Sequence, residues 1–233
     1  MLRRRTMMAP TDSAGGNDAN CITLLHFDNN ATNSSSIPQT WTKGQYVLYS
    51  SSIKKFGTYA MYDQYGTDTF EPDPNPFGDF VNNSGVFYQY LSGDWTAECW
   101  FRTPSENAGY LSNLFGLHRS PNLYPYFEIG VSSTTIRLLN STSGTSINFS
   151  QDYSASTSTN TWHHLAVVKK DNSINVYIDG IAKVTNVPWA YVPNSAWTNS
   201  AIGSYNYGYI DEFRFSNKAR WTSNFTPPTE PYA

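Results

Sequence analysis

Few residues of this chain combine reactive chemistry with a telling spacing, and most of them are carboxylates and aromatics. The stretch YIDEFRF (209–215) reads as a strand, and a strand turns successive side chains to opposite faces. Tyr209, Asp211, Phe213 and Phe215 then share one side, while Ile210, Glu212 and Arg214 share the other. An ionised carboxylate among apolar neighbours is costly unless paired. Asp211 therefore needs a nearby arginine, such as Arg214 or Arg220, or a turn that it caps. Glu212 and Arg214 read as an ordinary ion pair on the outer face. His163 and His164 are adjacent and face opposite ways, so they cannot chelate one metal together. The chain has no G-x-S-x-G elbow and no phosphate-cradling or dinucleotide-binding glycine loop, and its two distant cysteines make no zinc site. The ordinary enzyme classes fall away, and a non-enzymatic protein is expected. Aromatic loops remain: 186–209 carries Trp189, Tyr191, Trp197, Tyr205 and Tyr207, and 110–126 carries Tyr124. Rings beside Asn and Ser side chains can stack on a sugar, anchor a protein partner, or simply cover the open edges of a core.

The elements that must position these residues are short strands. Of 233 residues, 16% are aromatic and only 14% charged, with 15 Gly and 13 Pro, which favours strands and turns over helices. Strands are expected at CITLLHFD (21–28), QYVLYS (45–50), TYAMYD (58–63), VFYQYL (86–91), TAECWFRT (96–103), YFEIGV (126–131) and TIRLLN (135–140). Three more follow in WHHLAVVKKDNSINVYIDGIAKVTN (162–186), where Asp179-Gly180 is a strong hairpin signal. EPDPNPFGD (71–79) has too many prolines for a regular ladder, and 105–124 reads as a long loop. About twelve short strands give an all-β, two-sheet antiparallel jelly roll. Residues 1–20 lack periodicity and read as an extended N-terminal arm, leaving 21–233 as one domain. The net charge is −3, and the basic residues are scattered apart from Arg3, Arg4 and Arg5, so neither nucleic acid nor membrane insertion is expected. Cys21 and Cys99 read as reduced and buried.

Taken in order, LLHFD (24–28), KFG (55–57), DWTAECWFR (94–102), WHHLAVVKKDNSINVYIDG (162–180) and IGSYNYGYIDEFRFSNKARWTSNFTPP (202–228) resemble the concanavalin A-like lectin/glucanase superfamily. The likeness is to laminin-G-like jelly rolls found in bacteriophage structural proteins, whose tails resemble ARWTSNFTPP. The resemblance implies a structural calcium held by Asp28 and Asp211, which fits the need of a buried carboxylate for a hard cation. It also offers a test for catalysis. Glucanases of this fold share an E-x-D-x-x-E strand, whereas the one E-x-D here, Glu71-Pro72-Asp73, is followed by Pro74, Asn75 and Pro76, so the second glutamate is missing. The resulting expectation is a virion structural protein made in the host cytoplasm, with no signal peptide. It would decorate a capsid or particle surface, contact other virion proteins through Arg3 to Arg5, adhere to host surface glycans, and allow a homo-oligomer. The alternative is a host-recognition, carbohydrate-binding lectin of a phage tail or fibre.

Overall fold

The computed structural model describes residues 16–44, 47–63, 80–82, 87–118, 127–143, 145–189, 199–204 and 208–233. Among these residues fifteen strands form: β1 (Cys21–Leu25), β2 (Thr42–Lys43), β3 (Val47–Ser50), β4 (Ala60–Asp63), β5 (Phe80–Asn82), β6 (Trp95–Arg102), β7 (Ser112–His118), β8 (Phe127–Val131), β9 (Thr135–Asn140), β10 (Phe149–Ser154), β11 (His163–Lys170), β12 (Ser173–Ile178), β13 (Ile181–Pro188), β14 (Asn199–Ser204) and β15 (Tyr209–Ser216). One sheet runs β13-β12-β11-β6-β15-β4-β3, with β1 also paired to β15; the other runs β10-β9-β8-β7-β14-β5-β2. Every pairing is antiparallel, so the expected two-sheet jelly roll is what forms.

The core lies between the sheets and is strongly aromatic. Alternation along β6 sends Trp95, Ala97, Cys99 and Phe101 inward, where Trp95 meets Phe115, Phe127 and Phe215 at ring separations of 5.4–6.4 Å. Rings of this size bury large apolar area and gain further from edge-to-face contact. Both cysteines are free and buried.

Two expected elements differ, and strands form where none was expected. VFYQYL is not a strand: Tyr88–Tyr90 form a short 3-10 turn. Phe87 and Leu91 are both buried while Gln89, midway between them, is exposed, a pattern that the two-residue alternation of an extended chain would not give. The 105–124 segment contains β7, where a register shift between Asn113 and Phe115 lets the consecutive Leu114 and Phe115 both enter the core. That bulge erases the alternation by which a strand is recognised. β10 and β14, FSQDYS and NSAIGS, are too polar or small to signal themselves and are held by pairing with their neighbours.

The outer face of the first sheet is mostly covered. β6 is buried on both sides up to Arg102 because the chain after β15 returns across it as a strap, residues 217–233. Trp221 and Phe225 stack at 3.9 Å over Ala166, Val168 and Tyr177, and Tyr232 packs on Cys21 and Leu24. Residues 16–20, the end of the expected arm, are tied to this strap. Asn17 donates its N–H to the Ala233 carbonyl at 2.6 Å, and Asp18 accepts from both terminal nitrogens of Arg220 at 3.0 and 2.8 Å.

Candidate functional site

β15 changes partner along one edge: Tyr209 and Ile210 pair with β4, and Phe213 to Ser216 pair with β1. At the junction the register against β6 slips between Asp211 and Arg214, and Glu212 takes φ 52°. This bulge corrects the simple alternation. Ile210, Phe213 and Phe215 all face the core, and Asp211 does not share their side. Asp211 Oδ2 instead accepts the backbone N–H groups of Lys55 and Phe56 at 2.8 and 3.1 Å. From the end of β1, Asp28 Oδ1 accepts the N–H groups of Thr58 and Tyr59 at 2.6 and 2.8 Å and the Thr58 hydroxyl at 3.0 Å. The two carboxylates thus clamp the KFG loop between them. A Cβ on Gly57, at φ +54°, would lie 2.5 Å from both Asp28 oxygens, so the loop needs glycine there.

Two oxygens of this pair are left over. No protein donor reaches Asp28 Oδ2 among the described residues, and Asp211 Oδ1 is buried without a hydrogen-bond partner. Burial pushes the Asp211 carboxyl up to about 7, against the pull of the Phe56 and Lys55 amides. Among the described residues no third His, Cys, Asp or Glu completes a metal cluster. The pair therefore fits a hard cation only if backbone carbonyls and water supply most of its six to eight oxygens.

The expected Glu212–Arg214 pair does not form. Arg214, fully buried, donates from Nε and Nη2 to Glu98 Oε1 at 2.9 and 2.7 Å, with the Tyr232 ring 3.9 Å above its guanidinium. Trp221 Nε1 donates to the other Glu98 oxygen at 3.1 Å. Burial opposes the ionised carboxylate, but Arg214 and the neighbouring His164 outweigh it and hold Glu98 below the usual range. Glu212 accepts instead from the Tyr232 N–H at 3.0 Å and lies 2.9 Å from His26 Nδ1.

His163 sits 2.6 Å from Asp179 Oδ2 through Nδ1, and its Nε2 lies 3.1 Å from Ser158 Oγ. Those are the distances of a hydrolytic triad. Nε2 also lies 3.1 Å from the Ser158 carbonyl, an acceptor that takes its proton. The hydrogen bond to Asp179 raises the His163 pKa. The imidazole thus clamps β11 to the Asp179 turn and to Ser158.

One strip of the first sheet's outer face is only partly covered by the described residues. Tyr209 stands opposite Arg102 on β6 and Tyr62 on β4, and Tyr62 stands opposite Leu48 on β3. The pairing of His163 with Phe101 sets Trp162 beside Arg102. Cross-strand neighbours share a face, so Trp162, Arg102, Tyr209, Tyr62 and Leu48 form one row, about 19 Å long at the usual strand spacing. Tyr62 and Tyr209 stack at 4.5 Å, the Arg102 guanidinium lies 5.4 Å from the Tyr209 ring, and Trp162 meets Tyr209 edge-on at 6.4 Å. Leu48 is 45% exposed and the other four are partly exposed.

None of these five was picked out as a candidate site residue from the sequence. Trp189, which was, belongs to the core: it is 2% exposed, with its ring packed on Phe127 and Phe149 at 5.3 and 5.7 Å. Tyr124, Tyr191, Trp197, Tyr205, Tyr207, Arg3, Arg4 and Arg5 lie outside the described residues.

Solved structures share the architecture. Domain 4 of AbnA, an extracellular arabinanase from Geobacillus stearothermophilus solved with arabinotriose, is 20% identical with a TM-score of 0.56, covering 86% of this chain and 93% of its own. A structure of botulinum neurotoxin type C, described as entering cells through two ganglioside molecules, is 14% identical with a TM-score of 0.60. The binding domain of Paraclostridial Mosquitocidal Protein 1 is 13% identical with a TM-score of 0.57. This chain spans about half the length of both toxin chains, 48% and 49%. No curated protein sequence matches. The laminin G family model described as Concanavalin A-like lectin/glucanases superfamily matches residues 81–223, and with its two antiparallel sheets the chain belongs to that superfamily.

Proposed function

We propose that the chain is a non-enzymatic adhesion module that binds carbohydrate. The observation that carries this reading is the partly open row from Trp162 to Leu48, a strip of the first sheet's outer face that presents rings, phenol hydroxyls and a guanidinium together. Sugars offer apolar C–H faces and dense hydroxyls, the two features that such a mixed surface satisfies. The test is a glycan panel read with the full chain and with Tyr209→Ala and Trp162→Ala. Saturable binding that either substitution weakens at least tenfold is expected, and a panel with no saturable binding overturns the reading.

The virion setting rests on a second observation. The ending ARWTSNFTPP, similar to bacteriophage members, lies in the strap that closes the outer face, and the chain ahead of Gly16 departs from beside that strap. In this reading the protein decorates a capsid or tail, and residues 1–15 with Arg3 to Arg5 make the particle contact. Purified particles should contain it, and deleting residues 1–15 should abolish incorporation; normal incorporation of the deletion refutes the anchor.

A calcium held by Asp28 and Asp211 belongs to the same proposal. Because burial raises the Asp211 pKa, the group favours the fold below its unfolded value near 3.8, and that contribution is lost as pH rises through about 7. Without calcium, Asp211→Asn is therefore expected to gain on the parent across that range, whereas Asp211→Ala leaves the Lys55 and Phe56 amides without their acceptor and loses about 2–4 kcal/mol. Calcium should raise the Tm of the parent near pH 7.5 and leave Asp211→Asn unmoved; equal responses would discard the ion.

A further inference from the structure

Building on the glycan-binding reading, we propose that the row on the first sheet is a subsite for a sugar that carries a carboxylate, such as a uronic or sialic acid unit. Arg102 occupies the second place in the row, between Trp162 and Tyr209. Its contacts are one hydrogen bond from Nη2 to Asn160 Oδ1 at 3.0 Å and the Tyr209 ring at 5.4 Å. Among the described residues it makes no ion pair with a carboxylate, in contrast to Arg137, Arg214 and Arg220. A partly exposed guanidinium held in position by an aromatic ring and an amide has donors left for a planar acid, and arginine takes carboxylates through two parallel N–H bonds. Asn160 is itself held by Ser105 at 3.1 Å, so the guanidinium is braced from two residues away.

The rest of the row suits the remainder of such a sugar. The Tyr62–Tyr209 stack brings two phenol hydroxyls together to meet ring hydroxyls, and Trp162 supplies apolar surface on the far side of Arg102. Neighbouring ground is closed. Along the sheet, Lys55 lies 3.8 Å above the Trp100 ring and Phe56 packs edge-on against it at 5.9 Å, and beyond that the strap covers Glu98 and Arg214. Glu106 is the one acid of the described residues whose charge is felt at both tyrosines; it sets a limit on how an anion can approach and forms a bond with Ser105 at 3.2 Å.

Matched probes separate this inference from the general one. The full chain is titrated with trigalacturonate and its methyl ester, and with 3′-sialyllactose and lactose; the two acids distinguish the uronic from the sialic source. At least one acid should bind ten or more times tighter than its neutral partner, with the preference falling as salt rises. Arg102→Gln should lose that preference, so that acid and neutral probes bind alike, Arg102→Lys should fall between, and Glu106→Gln should strengthen the acid. Equal affinities for acid and neutral probes, with Tyr209→Ala still impairing both, overturn the carboxylate subsite and leave glycan binding standing. Binding of neither acid overturns the carboxylate subsite, and a concentration-dependent dimer abolished by Trp162→Ala and Tyr209→Ala overturns both readings and assigns the row to a second copy.

Discussion

Arg214→Met is expected to lower the unfolding free energy by about 3–5 kcal/mol, the usual loss when one member of a buried pair is removed. The guanidinium is Glu98's sole cationic partner at under 3 Å among the described residues. Without it the carboxylate keeps the Trp221 N–H at 3.1 Å, His164 at 3.5 Å and the more distant Arg220 Nε at 3.9 Å. The pH slope should also change sign. In the parent the Glu98 pKa is depressed, so its stabilisation is present above the unfolded value of 4.5 and is lost as pH falls. In the variant burial dominates, the pKa rises above 4.5, and stability is lost as pH increases instead. Urea unfolding at pH 3 and pH 8 reads both effects, because the parent's loss lies below pH 4.5 and the variant's above it. Arg214→Met with Glu98→Leu should recover much of the loss, because no buried charge is then left unpaired. A single variant within 1 kcal/mol of the parent, at both pH values, would show that Glu98 finds another partner or reaches solvent.

How much was legible follows from which signals are local. The continuous apolar run of β1 and the hairpins of β11 to β13 are written in residue order, and the jelly roll follows from them. The sides of β15 were not legible, since a bulge at Glu212, a residue type with no special liking for φ 52°, inverts the faces of everything after it. Asp28 and Asp211 stand out through the resemblance, but their work on the amides of Lys55, Phe56, Thr58 and Tyr59 appears only when β4 and β1 are seen to share one edge of β15. Glu98 sits on the outward side of β6 as alternation requires, and the strap that buries it was signalled only by the unusual density of Trp221, Phe225 and Tyr232 in a terminal segment. The row of Trp162, Arg102, Tyr209, Tyr62 and Leu48 draws one residue from each of five places in the chain. Strand register brings them together, and no spacing within the sequence encodes it.

The strap makes a second large effect testable at Gly180. This residue and Asp179 form the β12–β13 turn with φ 74° and 52°, the left-handed pair that a two-residue hairpin demands. The turn is also the strap's landing place. Phe225 donates its N–H to the Gly180 carbonyl at 2.9 Å, Ala182 donates to Asn224 Oδ1 at 2.9 Å, and a Cβ on Gly180 would collide with the Phe225 carbonyl oxygen and meet Pro227 at 3.1 Å. Left-handed backbone alone costs alanine about 1–2 kcal/mol. Displacing the strap adds the exposure of Phe225 and Trp221 and of the Ala166, Val168 and Tyr177 surface beneath them. Gly180→Ala should therefore lose about 3–5 kcal/mol. Gly180→Asn separates the two causes, because asparagine tolerates positive φ yet carries the same colliding Cβ. If the strap matters, asparagine is nearly as harmful as alanine, and limited proteolysis cuts residues 217–233 in both variants before the sandwich. If asparagine restores the parent Tm, the loss was backbone strain and the strap yields without harm. That result would mean that the outer face tolerates uncovering, and that the Glu98–Arg214 pair holds without the segment now lying over it.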